Sequence, residues 1–207
     1  MPRQNRVTPF GALIATPDRG TLMGNRGILH DAAGHLGTRR WAHPHWVACR
    51  LDFGSRRRPI MAPGRYTELF FLDEATSLAA GHRPCAECRR EDFGRFRAAW
   101  ALAHPAEPAS APLIDRRLHA ERVRRDRTQV TFEHPARTLP VGTMVQLGGA
   151  AWLVSGDTLR RWHGGGYGEA RARPDGSVTV LTPRPTVAAL EAGYAVALHS
   201  SVAATGA

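Results

Sequence analysis

The stretch LAAGHRPCAECRR, residues 78–90, carries a Cys-x-x-Cys pair formed by Cys85 and Cys88. This spacing places two sulfur atoms on one side of a tight turn, where they can occupy two corners of a zinc tetrahedron. Pro84 restricts the chain before the turn, and the N-terminus of the helix predicted to follow favours thiolate charge. The pair therefore predicts half of a zinc site, and the elements around it organise the first half of the chain.

Sequence periodicity predicts the elements that surround the pair. Strands are expected over residues 46–51 and 66–72, and a short helix over residues 73–80 with Gly81 as its stop. A longer helix is predicted over residues 89–104, with its aromatic side chains on one face. A helix ahead of the cysteines favours a metal site, because a thioredoxin-like redox motif lies between a strand and a helix.

The second half of the sequence changes character after a Pro- and Ala-rich linker over residues 104–112. An arginine-rich helix is predicted over residues 113–127 and a short helix over residues 186–193. Two hairpins are expected, one over residues 143–155 around Gly-Gly-Ala and one over residues 169–181 around Asp-Gly.

These elements predict an α+β fold, in which a small zinc-stabilised α/β lobe is followed by a basic helix and a β-rich C-terminal half. The predicted parts are residues 1–104, with the glycine- and arginine-rich N-terminal segment and the zinc lobe, residues 105–130, with the linker and basic helix, and residues 131–207.

A zinc ion needs two ligands besides the Cys-x-x-Cys pair. His45 and Cys49, four positions apart, complete a Cys₃His set of the kind common in structural zinc sites. His43 is an alternative fourth ligand, and His30 and His35 are weaker alternatives. The cofactor predicted from this set is a structural Zn²⁺.

The run from Phe70 to Arg90 resembles the zinc-binding domain of Ada-type DNA repair proteins, and the resemblance extends over roughly residues 45–90. The shared hallmark is an aromatic strand, a short helix and then Gly-aromatic-Arg-Pro-Cys-x-x-Cys, with His82 in the aromatic position here. The resemblance implies DNA binding and a second ligand pair, one member of which accepts a methyl group from a DNA phosphotriester. His45 occupies that acceptor position. An imidazole cannot replace the acceptor thiolate, so we expect no methyl-phosphotriester repair.

The charge of the chain favours an anionic partner. All 28 basic residues are arginine, against 18 acidic residues, and the formal net charge is +10. Nucleic acid, with DNA favoured, is the partner expected for such a chain, and no membrane partner is expected. Guanidinium groups suit phosphate contacts. The predicted contacts are Arg39, Arg40, Arg56, Arg57, Arg58, Arg83, Arg89 and Arg90.

The leading functional hypothesis is a cytoplasmic, zinc-stabilised DNA-binding protein that processes or repairs DNA. If it is catalytic, we expect a DNA-acting hydrolase of glycosidic or phosphodiester bonds, because a chain without lysine cannot form a lysine Schiff base. His30, Asp31 and His163 are the candidate catalytic residues. The alternatives are a non-enzymatic DNA-binding regulator or interaction module, and a purely structural zinc fold whose positive charge is compositional.

Overall fold

Residues 1–54 and 59–203, the part of the chain that the computed structural model describes, form two six-stranded sheets and four α-helices. The fold class is α+β, as predicted. The contacts predicted at Arg56, Arg57 and Arg58 lie outside the described residues. None of the helices in the described part of the chain has the length and apolar character that a membrane crossing requires.

The first sheet positions the cysteines. Its strands run in the order β2-β1-β5-β3-β4-β6, and β4 and β6 are parallel neighbours, with Val47 opposite Arg83 and Ala48 opposite Pro84. This register brings the residue after Ala48 beside the residue after Pro84, so Cys49 meets Cys85. The strands are β1 Gln4–Val7, β2 Leu13–Ala15, β3 Leu22–Asn25, β4 Val47–Arg50, β5 Leu69–Phe71 and β6 Arg83–Pro84.

Helix α1, Glu74–Ala79, connects β5 to β6, and the residues predicted to start and to stop it lie at its two ends. Asp73 is its N-cap, and its carboxylate accepts a hydrogen bond from the Thr76 N–H at 2.9 Å. The helix is followed by Gly81 at φ 78°, a left-handed conformation that favours glycine. A Cβ atom on Gly81 would also lie 2.4 Å from Cδ of Arg122, so the turn can approach Arg122 this closely only at a glycine.

The second sheet has the strand order β11-β10-β9-β8-β12-β7 and only antiparallel pairs. The first predicted hairpin is confirmed as β8 and β9. The second is wrong, because β12 pairs with β8 and β7, where it buries Val178 and Val180, while β11 pairs with β10. The strands are β7 Phe132–Pro135, β8 Met144–Leu147, β9 Ala150–Ser155, β10 Thr158–His163, β11 Gly166–Ala172 and β12 Ser177–Val180.

Three longer helices, α2 Arg90–Ala103, α3 Ala111–Arg122 and α4 Arg184–Glu191, share one apolar core with α1. Trp100 and Leu190 are both buried in this core, so the C-terminal helix packs on the helices of the first half. Helix α3 ends at Arg122, earlier than predicted, because residues 124–128 close a tight turn through the Arg124 N–H and the Thr128 carbonyl. Apolar packing therefore crosses both predicted boundaries between parts of the chain.

Candidate metal centre and arginine-rich cavity

Three cysteines converge where β4, β6 and the start of α2 meet. The sulfur atoms of Cys49, Cys85 and Cys88 all lie within 4.8 Å of one another, and each side chain is half-buried. Two sulfur ligands of a tetrahedral zinc ion, each 2.3 Å from the metal, are about 3.8 Å apart. The cluster is therefore close enough to hold a metal ion, as predicted for these three residues.

Backbone hydrogen bonds hold the cluster in place and set its electrostatics. The Cys85 N–H donates to the Ala48 carbonyl at 3.0 Å. The Cys49 thiol donates to the Cys85 sulfur, and with the N–H groups of Cys88 and Glu87 this lowers the pKa of Cys85 to about 5 against the opposing effect of burial. The same hydrogen bond, followed by burial, raises the pKa of Cys49. A thiolate is thus stabilised in the cluster, which is the form that binds metals.

His45, the predicted fourth ligand, lies outside this cluster. Its Nδ1 is 2.9 Å from Oδ2 of Asp115, and its side chain is 58% exposed. His45 precedes β4, and the extended chain from Val47 onward separates it from Cys49. Within residues 1–54 and 59–203, no histidine or carboxylate joins the three sulfurs. His43, the alternative fourth ligand, also lies outside the cluster, and its ring lies beside that of His45.

The three cysteines line a cavity of about 450 Å³, which we call the cysteine cavity. Aromatic and aliphatic side chains form most of its wall, and the charged residues among the described part of the wall are two glutamates and one arginine. The lining consists of the three cysteines with Met23, Arg50, Leu51, Phe53, Ile60, Tyr66, Glu68, Phe70 and Glu87.

Two of the arginines predicted to contact nucleic acid are held inside the protein. Arg83 donates to both carboxylate oxygens of Asp115, at 2.7 and 2.8 Å. Arg89 donates to Glu74 at 2.6 Å and to Asp92 at 2.7 Å. Their guanidinium groups connect elements around the metal centre, which corrects the prediction that they contact a partner. Arg39, Arg40 and Arg90 are exposed, and contacts by these three residues stay a prediction.

A second cavity, also of about 450 Å³, lies between the two sheets, and we call it the tryptophan–arginine cavity. Four arginines and two tryptophans line it, and no aspartate or glutamate of residues 1–54 and 59–203 is part of its lining. The charged and aromatic members are Phe10, Arg26, Arg40, Trp41, Trp46, Arg122 and Arg127. The remaining lining residues are Gly11, Ala12, Ala80, Val123, Thr128, Gln129, Thr131, Gln146 and Leu181.

Arg26 and Arg122 are the buried arginines of this cavity, and neither was predicted from the sequence as a site residue. Their Cζ atoms lie 4.2 Å and 3.8 Å from the ring centroid of Trp46. Burial, followed by the charge of Arg40, lowers the pKa of Arg26 to about 9. The two arginines come from loops and helices that are distant in the sequence, so no local motif marks them.

Of the three catalytic candidates, His30 and Asp31 line one shallow cavity with His35 and Arg39, and His163 lies apart from them. His30 is buried, with Nδ1 2.6 Å from the Thr67 hydroxyl and Nε2 3.3 Å from the Ala62 carbonyl oxygen. Asp31 is exposed and accepts hydrogen bonds from two N–H groups of its own loop. His163 ends β10 at an exposed hairpin of the other sheet, where residues 163–166 form the turn to β11. The glycine-rich stretch around it is therefore a hairpin turn.

Comparisons of the chain with known protein families, with curated proteins and with solved structures find no match. The resemblance to Ada-type zinc domains therefore rests on the motif around Cys85 and Cys88 and stays a prediction.

Proposed function

We propose that the protein is a zinc-thiolate protein that binds nucleic acid, with DNA as the expected partner. The observation that carries the proposal is a pair of arginine-bearing loops, residues 37–41 and 124–128, that contact each other at the mouth of the tryptophan–arginine cavity. Thiolate-rich sites with this spacing suit zinc, and the net charge of +10 suits a polyanion.

The two loops are joined by Arg127. Its Nη1 donates to the Thr38 carbonyl at 2.9 Å, and its backbone has φ 72°, a left-handed conformation that costs a non-glycine residue roughly 1 kcal/mol. The Asp126 carboxylate holds this turn by accepting from the N–H and the hydroxyl of Thr128, at 3.0 and 2.7 Å. The strained backbone of Arg127 is thus held in place where the two loops meet. The exposed arginines that the two loops bring together are Arg39, Arg40, Arg124, Arg125 and Arg127.

The proposed zinc acts through the strand that it anchors. Cys49 lies on β4, and the backbone of Trp46, just before β4, accepts a hydrogen bond from the Arg83 N–H at 3.2 Å. A zinc ion bound by the three cysteines would offset two of their three thiolate charges and cross-link β4 to the turn before α2. That cross-link would fix the position of Trp46 at the tryptophan–arginine cavity.

Hydrolysis of DNA is not part of this proposal. His30 and Asp31 line one cavity, but both ring nitrogens of His30 have protein partners, and the Asp31 carboxylate accepts two N–H bonds of its own loop. His163 lies on the other sheet. Hydrolysis of a glycosidic or phosphodiester bond requires an acid and a base within reach of the same substrate. Binding is therefore the function that the arrangement supports best.

The experiment that tests the proposal measures the binding of labelled duplex and single-stranded oligonucleotides at several salt concentrations. The test variant carries Arg39→Ala and Arg127→Ala, and the charge-matched control carries Arg97→Ala and Arg161→Ala, two exposed arginines on α2 and β10. We expect the test variant to bind more than about tenfold more weakly, with a salt slope smaller by about 1.4 to 1.8, because two phosphate contacts are lost.

Equal binding by the two double variants would contradict the proposal. Binding that is absent or insensitive to salt in the parent protein would also contradict it, and would favour a structural zinc protein whose positive charge is compositional.

A further inference from the structure

The tryptophan–arginine cavity contains buried positive charge without a matching negative charge. Arg26 and Arg122 are each only 3% exposed. Within residues 1–54 and 59–203, neither forms an ion pair with a carboxylate, and Nη2 of Arg26 has no hydrogen-bond acceptor. Both instead donate to backbone carbonyls, Arg26 to Gly11 and Arg122 to Gly81 and Pro44. A buried guanidinium that lacks a carboxylate is costly, so the cavity favours an anion.

The nearest acidic group does not satisfy this charge. Asp115 influences Arg122 through space, but both of its oxygens bind Arg83, and one of them also lies 2.9 Å from His45. Arg40 and Arg127 add two exposed guanidinium groups at the cavity mouth. Four arginines therefore surround a space that the described acidic residues do not enter.

The aromatic lining adds a second preference. Trp41 is half-buried, and its ring centroid lies 6.1 Å from that of Trp46 at an interplanar angle of 54°. Trp46 is covered by Arg26 and Arg122, so Trp41 is the tryptophan that can still present a ring surface to a ligand. A nucleobase of any kind gains stacking energy on such an aromatic surface. The volume of about 450 Å³ lies within the usual range for small-molecule sites.

We propose that the tryptophan–arginine cavity binds one nucleotide unit, with its base against Trp41 and its phosphate among Arg26, Arg40 and Arg127. This inference rests on the proposed function for the class of its ligand and deepens it, because it turns a basic surface into a site for a single nucleotide. The unit can be a free mononucleotide or one nucleotide of a strand, since both supply an aromatic ring and a phosphate.

The test uses isothermal titration of the full chain with adenosine 5′-monophosphate, adenosine and inorganic phosphate, and fluorescence polarisation with a labelled single-stranded oligodeoxynucleotide. We expect the monophosphate to bind with one site per chain and each of its two halves to bind at least about tenfold more weakly. Trp41→Ala and Arg40→Glu should each weaken monophosphate binding by about tenfold or more, whereas Trp41→Phe should retain it because stacking tolerates any aromatic ring. Arg161→Glu is the control for a charge reversal at an exposed arginine outside the cavity.

The possible outcomes distinguish failure of the nucleotide site from failure of the proposed function. If the oligonucleotide binds with salt dependence but the monophosphate does not, and Trp41→Ala leaves strand binding unchanged, the cavity inference is overturned and the proposed function stands. If the monophosphate binds and no strand does, the proposed function fails and the nucleotide site remains. Equal effects of Arg40→Glu and Arg161→Glu on monophosphate binding would also overturn the inference.

Discussion

The cysteine cavity and the tryptophan–arginine cavity have the same volume, about 450 Å³, but different linings. Among the described residues, three cysteines, two glutamates and one arginine line the first, whereas four arginines and no acidic residue line the second. One segment serves both, because Trp46 lines the second cavity and Cys49 lines the first. Trp46 directly precedes β4 and Cys49 lies within it, so one short segment contributes to a candidate cation site and to a candidate anion site.

The tryptophan–arginine cavity also differs from the buried ion pairs beside it. Arg83 and Arg89 are buried with carboxylates, so their charges are balanced by the protein itself. Among the described residues, Arg26 and Arg122 have no carboxylate partner, and a bound phosphate would balance their charge. Variants that remove a balanced charge, an unbalanced charge or a metal ligand should therefore have distinct effects.

The largest effect is expected at the cysteine cavity. Cys85→Ser removes one of the three sulfur ligands, and we expect the metal content to fall from about one ion per chain to near zero. Structural zinc binding contributes about 10 kcal/mol in small zinc domains, so thermal unfolding should shift downward by many degrees. Elemental analysis and calorimetry measure the two quantities.

The matched control for Cys85→Ser is Ala86→Ser, which places the same hydroxyl on an exposed neighbour in the same turn. It should retain the metal and the unfolding temperature of the parent protein. A Cys85→Ser protein with a full complement of metal would show that the three cysteines are not the ligand set.

A smaller effect is expected when a balanced buried charge is broken. Asp115→Asn leaves the Arg83 guanidinium buried without its carboxylate, which should cost about 3 to 5 kcal/mol in the free energy of unfolding. Denaturant unfolding measures this quantity. The exposed pair between Arg117 and Glu107 is the comparison, since Glu107→Gln should cost less than about 1 kcal/mol. Similar losses in the two variants would mean that the Arg83–Asp115 pair does not hold α3 against β6.

Salt should distinguish the ligands of the two cavities. Raising the salt concentration from about 50 to 200 mM should weaken oligonucleotide binding by about 50-fold if four phosphates of a single strand are contacted. The zinc content should stay constant over the same range, because direct coordination bonds do not depend on counterion release. Oligonucleotide titrations and elemental analysis of the same samples give both values, and a parallel loss of metal and nucleic acid would contradict the separation of the two sites.

The smallest change in stability is expected for an unbalanced charge. Arg26→Met removes a buried guanidinium together with its hydrogen bond to the Gly11 carbonyl. Relief of the buried charge offsets the lost contacts, so we expect the free energy of unfolding to stay within about 1 kcal/mol of the parent value. Nucleotide binding should weaken. A loss as large as that of Asp115→Asn would show that the Arg26 charge is already balanced in the protein alone.

The features that the sequence predicted well are local ones. The Cys-x-x-Cys turn, the short helix between Asp73 and Gly81, and the hairpin of β8 and β9 each depend on residues within a few positions of one another. The prediction that Cys49 lies with Cys85 and Cys88 is also confirmed. In the structure the three meet because β4, which carries Cys49, pairs with β6.

The features that were missed depend on tertiary contacts. His45 was expected at the metal from its spacing to Cys49, but spacing alone does not say that the chain between them is extended or that Asp115 lies beside His45. The pairing of β12 with β8 overrides the Asp-Gly turn signal that favoured pairing with β11. Arg26 and Arg122 meet on one tryptophan only after the first sheet and α3 have packed together.

Native mass spectrometry of the parent protein with zinc and adenosine 5′-monophosphate tests most directly that the two cavities take ligands of opposite charge. We predict one zinc and one nucleotide per chain in the parent protein. Cys85→Ser should lose the zinc, and Arg40→Glu should lose the nucleotide while keeping the zinc. A parent protein without zinc, or an Arg40→Glu protein that binds the nucleotide as well as the parent, would contradict the account.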